Sequence, residues 1–202
     1  MFMDKILIAT KNEGKAKEYR KLFEPKGFEV VTLNDLNDPI EIVEDGKTFA
    51  QNAAIKALAL AEKYQVIALA DDSGLMVDYL DGAPGIYSAR YAGDHDDEAN
   101  KQKLLAELAG VASDKRTAHF HCAIVVASPA GAQLAVEGEV NGVILEKQRG
   151  QGGFGYDPLF YYPPFERSFA QLSMEEKNSV SHRGRAVNAL MERFDAWLNE
   201  VR

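Results

Sequence analysis

The apolar and polar positions of this chain follow two patterns, short apolar runs and stretches of helical period. The runs at 5–9, 28–32 and 66–70 have strand length and are bounded by polar residues, which is typical of buried strands. Two longer runs, 117–128 and 132–143, are separated only by Pro-Ala-Gly, which is a hairpin signal. The pattern therefore predicts five strands, the last two joined as a hairpin.

Stretches of helical period fill the intervals between these runs. Thr48 and Ser173 are each followed three residues later by Gln51 and Glu176, so both positions predict a capping box and a helix start. The last helix carries an apolar stripe formed by Val187, Leu190, Phe194, Trp197 and Val201. Strands that alternate with helices and then form a hairpin predict an α/β protein with a mixed sheet.

Length and composition narrow the class of protein. The 202 residues suffice for one domain with a substantial core, or for one domain with two lobes. No apolar run approaches the roughly 20 residues that span a bilayer, and the first residues lack a basic leader and a long apolar region. The single cysteine, Cys122, lies in an apolar run and is expected to be a buried thiol in a reducing compartment. We therefore expect no membrane partner and a cytoplasmic protein.

The charge excludes one class of partner. The net charge is −8, from 23 basic and 31 acidic residues. A broad nucleic-acid surface must neutralise many phosphates, so we expect no nucleic-acid partner. A few converging cations and a divalent metal can still bind a small polyphosphate on an acidic protein.

Two segments resemble nucleotide-binding motifs, but each lacks a feature that its motif requires. Gly46-Lys47-Thr48 resembles the end of a P-loop, but the position five residues before Gly46 is Glu41 rather than glycine. Residues 150–155 match the dinucleotide fingerprint, yet Pro158 disfavours the helix that this fingerprint must open. Neither a P-loop nor a dinucleotide site is expected.

Asp71, Asp72 and Ser73 come directly after the apolar run 66–70, and α/β proteins often place ligands at that end of a strand. Adjacent carboxylates on an extended chain point in opposite directions, so one can face a site while the other braces a loop. Carboxylate oxygens suit Mg²⁺, which keeps waters and substrate phosphates as its other ligands. A turn with side-chain capping is the alternative, and these residues alone do not say which carboxylate is a base.

Two further segments surround the predicted helix starts. Residues 10–15 join a strand to a helix, whose N-terminus suits phosphate, although simple capping by Thr10 or Asn12 explains them equally. Glu41, Glu44 and Asp45 precede the second helix, where they can either complete a metal site or stabilise the helix dipole.

Basic residues and histidines are the remaining candidates. Lys177 and the run Ser181-His182-Arg183-Gly184-Arg185 lie near the start of the last helix, where basic residues oppose the dipole and so suggest either a ligand or a solvated turn. His119 and His121 alternate along a predicted strand and are interpreted as structural. No zinc spacing or Ser-His-Asp arrangement is found.

Six segments together resemble the inosine/xanthosine triphosphate pyrophosphatase family. They are TKNEGK (10–15), EDGKTF with NA (44–49 and 52–53), ADDSGL (70–75), GAPGIYSARY (82–91), GGFGYDP (152–158) and SHR (181–183). The resemblance covers nearly the whole chain. It implies an elongated mixed sheet flanked by helices, two lobes with an active-site cleft between them, and a homodimer. It also implies Mg²⁺-dependent cleavage of purine triphosphates with a wrong base (inosine, deoxyinosine, xanthosine) to the monophosphate and pyrophosphate.

The resemblance assigns roles to individual residues. Asp72 would activate water and bind metal, with Glu44 as the second metal ligand. The residues implied to bind substrate are Thr10, Lys11, Asn12, Glu13, Gly14, Lys15, Ser73, Phe154, Gly155, Tyr156, Asp157, Lys177, His182 and Arg183. Cations and Mg²⁺ would neutralise the phosphates, and an aromatic ring at Phe154 can stack on a base. Two alternatives remain, a pyrophosphatase for other modified or pyrimidine triphosphates and a non-catalytic nucleotide-binding module.

Overall fold

Seven strands form one mixed sheet in a computed structural model that describes residues 4–37, 40–93 and 96–201. The strands are β1 (Asp4–Ile8), β2 (Phe28–Thr32), β3 (Ile67–Val77), β4 (Thr117–Ala127), β5 (Gln133–Ile144), β6 (Phe160–Tyr162) and β7 (Arg167–Ser168). The helices are α1 (Glu13–Phe23), α2 (Phe49–Tyr64), α3 (Asp97–Glu107), α4 (Met174–Val180) and α5 (His182–Val201). The strand order is β2-β1-β3-β4-β5-β6-β7. The prediction of an α/β protein with a mixed sheet is confirmed.

Parallel and antiparallel pairing occupy different parts of the sheet. Strand β1 runs parallel to β2 and to β3, with Ile8 opposite Thr32 on one side and Leu69 on the other. Strands β5, β6 and β7 pair antiparallel. A tight turn in which Ser128 N–H donates to the carbonyl of Ala132 joins β4 to its neighbour β5, as the hairpin signal predicts.

Strand β3 is longer than the sequence predicts. The sequence places Asp71, Asp72 and Ser73 after the strand or in a turn, whereas β3 continues through them to Val77. That placement was wrong because Leu75 and Val77 are buried apolar residues that extend the strand beyond the polar stretch. The aspartates do lie beyond the carboxyl end of β1, whose last residue, Ile8, is opposite Leu69.

The chain divides into two compact units, of which the first comprises Met1–Asp72, Ala123–Val136 and Ala189–Arg202. Its core includes a small-residue face of α2, where Ala53, Ala57 and Ala61 are fully buried. Small side chains there allow the helix to pack closely on the sheet. The rings of Phe23 and Phe194, 5.0 Å apart and edge to face, form a second part of this core.

The second unit comprises Ser73–Cys122 and Glu137–Asn188. Its core is rich in aromatic rings, and Phe120, Phe160 and Phe169 contact one another at centroid separations of 4.6 to 5.9 Å. Cys122 is buried, as expected, and the rings of His119 and His121 lie beside the carboxylates of Asp78 and Glu139. In the described parts of the chain, no helix is long and apolar enough to cross a membrane.

Candidate active site

The two adjacent aspartates of β3 bind different partners in the first unit. Lys15 Nζ lies 3.1 and 2.8 Å from the two carboxylate oxygens of Asp71, whose side chain is only 3% exposed. Asp72 instead accepts a hydrogen bond from Asn52 Nδ2 at 3.1 Å and is half-buried. The opposite directions of the two carboxylates agree with extended chain. Asp71 therefore holds α1 to the sheet, and Asp72 faces α2.

Helix α2 places two polar side chains, those of Asn52 and Lys56, beside the two aspartates. Asn52 Oδ1 also accepts from the backbone N–H of Gly46 at 2.9 Å. Lys56 Nζ donates to the carbonyl of Asp71 at 3.0 Å and pairs with the Glu44 carboxylate at 3.0 Å. Asn52 and Lys56 are four residues apart and therefore share one face of α2. Through that face they contact the carboxylates of Asp72 and Glu44, respectively.

The start of α1 has its own capping network. Asn12 is the N-cap, and its side chain accepts from the N–H groups of Gly14 and Lys15 at 2.8 and 3.2 Å. Thr10 is buried and accepts from the N–H of Asn12 at 3.1 Å. Lys11 and Glu13 are exposed, and their carbonyl and carboxylate accept from Asn34. Capping is therefore present at this loop, and the ammonium of Lys15 stands beside the capped helix end.

The donor set around Asp72 fits a hard divalent cation. Asp72 and Glu44 offer carboxylate oxygens, each already oriented by a side chain of α2. Across residues 4–37, 40–93 and 96–201, no group of three or more His, Cys, Asp or Glu side chains gathers tightly enough to hold a metal. Mg²⁺ suits such a sparse site, because one or two carboxylates commonly bind it together with water and substrate phosphates.

A pocket within the second unit collects most of the residues that the sequence associates with the base and sugar. Its lining residues are Ser73, Gly74, Leu75, Ser88, Ala89, Asp97, Phe120, Phe154, Gly155, Tyr156, Asp157 and His182. Phe154 is 61% exposed. An exposed aromatic ring at the wall of a pocket is available for stacking on a flat ligand.

A buried carboxylate holds the loop that carries Phe154. Asp157 is 1% exposed and accepts from the N–H of Phe154 at 2.9 Å and from the ammonium of Lys177. The same ammonium lies 4.4 Å from the ring centroid of Phe154. Gly153 has φ +75°, and a Cβ there would overlap the Asp157 carboxylate. Charge and backbone conformation thus fix this turn in one shape.

Two other side chains of the pocket, Tyr156 and His182, are held by a hydrogen bond and by ring stacking, respectively. The Tyr156 hydroxyl donates to the carbonyl of Ser88 at 2.9 Å, and burial raises the pKa of Tyr156, which keeps that hydroxyl protonated. The His182 ring stacks on Phe120 at 4.9 Å between centroids. Arg183 follows His182 in α5 and is half-buried, outside the set of residues that line the pocket.

The structure adds residues to which the sequence assigned no role, both around Asp72 and in the pocket of the second unit. Asn52 belongs to one of the matching sequence segments without a role, and Lys56 is not singled out at all. In the pocket, Asp97 accepts from the N–H of Gly155 at 2.7 Å and Ser88 accepts from Tyr156. The only sequence signal for the first two is their spacing of four on the helix that follows Glu44. Asp97 and Ser88 lie too far from residue 155 in sequence for local spacing to reveal them.

Known proteins resemble nearly the whole length of this chain. The model of the Ham1 family matches residues 6–193. The chain is 54% identical over 189 residues to a dITP/XTP pyrophosphatase of Desulforamulus reducens, covering 93% of this chain and 94% of that one. It is 48% identical over 198 residues to a dITP/XTP pyrophosphatase of Bacillus anthracis, covering 96% and 98%. Among solved structures, the Ham1 protein of Staphylococcus aureus is 40% identical with a TM-score of 0.90, covering 96% of this chain and 99% of that one. The chain belongs to the Ham1 family.

Proposed function

We propose that this protein hydrolyses purine nucleoside triphosphates with a wrong base, such as ITP, dITP and XTP, to the monophosphate and pyrophosphate. The observation that carries the proposal is the match, over more than nine-tenths of both chains, to relatives named dITP/XTP pyrophosphatase. The reaction would remove these nucleotides before they enter DNA or RNA.

The first unit is the proposed place of phosphate binding and chemistry. The loop of residues 10–15 would hold the triphosphate, with the ammonium of Lys15 and the polar groups of Thr10 and Asn12 beside the start of α1. Asp72 would accept a proton from the attacking water, because its carboxylate is half-exposed and oriented by Asn52, whereas Asp71 is buried against Lys15. General-base catalysis of this kind contributes about 10²- to 10⁴-fold to a rate.

Mg²⁺ is the proposed cofactor, with Glu44 and Asp72 as its protein ligands. When bound, it would neutralise charge on the phosphate oxygens and the leaving group. The chain's own part is to orient the two carboxylates from α2 through Asn52 and Lys56. Lys15 would add fixed positive charge at the phosphates.

The pocket of the second unit is the proposed base and sugar site. Phe154 would stack on the purine, and Ser73, Gly155, Tyr156, Asp157 and His182 would surround it, with Lys177 and Arg183 completing the site. A 6-keto purine presents an acceptor where adenine presents an amino donor. A site built for one leaves a polar group unpaired with the other, which supports strong discrimination.

Two properties of the working protein are part of the proposal. We propose that it acts as a homodimer, and that it works on the cytoplasmic nucleotide pool. Light scattering coupled to gel filtration tests the first, with twice the 22.3 kDa of the chain as the expected mass. A mass of one chain would contradict it.

Product analysis is the experiment that tests the reaction. The protein is incubated with ITP, with and without Mg²⁺, and pyrophosphate and orthophosphate are measured separately. The proposal expects equal amounts of IMP and pyrophosphate, formed only with the metal. Release of orthophosphate as the primary product would overturn it.

A further inference from the structure

The side chain of Asn52 joins two groups near the proposed metal ligands. We propose that Asn52 is a positioning residue, which fixes the carboxylate of Asp72 for water activation and ties it to the loop of residues 44–48. The inference rests on the proposed function, in which Asp72 is the base.

The hydrogen bonds of Asn52 give the amide one orientation. The backbone N–H of Gly46 can only donate, so the amide oxygen must face it, at 2.9 Å. An ionised carboxylate can only accept, so the amide nitrogen must face Asp72 Oδ2, at 3.1 Å. The two partners therefore determine which way the amide points, and that orientation is the one that supports Asp72.

Close packing holds Asn52 in place. The residue is 2% exposed on the first turns of α2. A Cβ at Gly46 would lie 2.6 Å from Asn52 Oδ1 and 2.9 Å from the backbone nitrogen of Asn52, which is closer than real Cβ contacts. The loop can therefore make this approach only with glycine at position 46. Glycine at this position thus lets the loop backbone lie directly against the Asn52 amide.

The expected consequence of losing this amide is slower chemistry with little change in binding. Without Asn52, the Asp72 carboxylate can rotate away from the water it must activate, and small displacements of catalytic groups are costly. Asn52 itself is buried and has no proposed contact with the triphosphate. The kcat should therefore fall while affinity for the nucleotide is retained.

Three variants separate this role from simple anchoring of the loop. Asn52→Ala removes both hydrogen bonds. Asn52→Leu also removes both hydrogen bonds, but keeps nearly the size of the side chain and adds no charge beside Asp72. Gln51→Ala is the matched control, because Gln51 Oε1 anchors the neighbouring loop amide of Lys47 at 2.7 Å from an exposed position.

The experiment measures kcat and KM for ITP with Mg²⁺, calorimetric binding of α,β-methylene ITP, and thermal unfolding of each full-length variant. We expect kcat to fall about 10- to 100-fold in both Asn52 variants, with analogue affinity unchanged, and Gln51→Ala to keep the wild-type kcat. Asn52→Leu, which leaves no cavity, supplies the answer if the alanine variant does not fold.

Two results overturn the positioning role while leaving the proposed function intact. The first is that the wild-type enzyme hydrolyses ITP and both Asn52 variants have the same kcat as the wild type. The other is a Gln51→Ala variant that loses as much kcat as Asn52→Ala, since loop anchoring would then explain the effect. A wild-type protein that releases no pyrophosphate from ITP overturns both proposals.

Discussion

Lys15 Nζ binds both carboxylate oxygens of Asp71, at 3.1 and 2.8 Å. This pair links the first turn of α1 to the middle of β3 across 56 residues of sequence. It gives Asp71 a structural partner and leaves Asp72, its neighbour in the chain, as the half-exposed carboxylate. The two aspartates therefore differ in their surroundings, and we expect them to differ in role.

Asp71→Asn should destabilise the fold. The Asp71 side chain is 3% exposed and that of Lys15 is 24% exposed, so the variant leaves a largely buried ammonium without its counter-charge. We expect the free energy of unfolding to fall by about 1–3 kcal/mol, measured by urea denaturation. The exposed pair Lys5–Glu29 is the control, and Glu29→Gln should cost at most about 0.5 kcal/mol. Equal midpoints for Asp71→Asn and the wild type would refute this role.

Asp72→Asn should abolish most turnover and keep the fold. A carboxamide cannot accept the proton of the attacking water, so kcat should fall by about 10²- to 10⁴-fold. Circular dichroism and the urea midpoint check that the structure is retained. Near-normal rates in this variant would move the base role elsewhere, with Asp71 the first candidate.

Phe154→Ala should weaken nucleotide binding without loss of stability. The ring is 61% exposed at the pocket wall, so its removal costs the core nothing. Stacking of a base on an aromatic ring is worth about 1–3 kcal/mol, and KM for ITP should therefore rise by about 5- to 150-fold. Met174→Ala, at an 80% exposed residue of the same unit, is the control and should leave KM unchanged. An unaltered KM in Phe154→Ala would remove the ring from the site.

Glu176 should contribute stability that disappears in acid. Its bonds to Arg167 and to the Ser173 N–H lower the pKa of Glu176 from 4.5 to about 2. A carboxylate with a lowered folded-state pKa stabilises the fold above its unfolded value, and this contribution is lost as pH falls through the folded value. The melting temperature of Glu176→Gln should thus lie below that of the wild type at pH 6, and the difference should shrink between pH 4.5 and 2.

Glu175→Gln controls for the loss of a negative charge from the same turn of α4. Its melting temperature should stay near that of the wild type at pH 6. A Glu176→Gln difference that stays constant from pH 6 down to the acid limit would contradict the lowered pKa.

Local sequence patterns predicted the strands and helices of this fold well. They failed where polar residues lie inside an element, as in β3. The capping box at Ser173 is confirmed on both sides. At Thr48 only one half is confirmed, because the Gln51 side chain accepts from Lys47 N–H instead of from Thr48. The glycine-rich stretch 150–158 forms turns with Gly150, Gly153 and Gly155 at positive φ, so no helix begins there, as Pro158 predicts.

For the candidate site, the sequence points to residue types, and it does not show which of them are partners. Asp71 and Asp72 interrupt an apolar run, so local reasoning ends the strand there. Their actual partners are Lys15, 56 residues away, and Asn52, 20 residues away, and only the folded chain brings these together. The spacing of Asn52 and Lys56 places them on one helix face, but it does not name Asp72 as the partner of Asn52.

Selectivity for the base is the most direct test of the proposed function. Initial rates of pyrophosphate release are measured for ITP, dITP, XTP, ATP and GTP under one Mg²⁺ condition, and kcat/KM is compared. We expect ITP, dITP and XTP to be hydrolysed far faster than ATP and GTP. Equal kcat/KM values across the five nucleotides would contradict the proposed function.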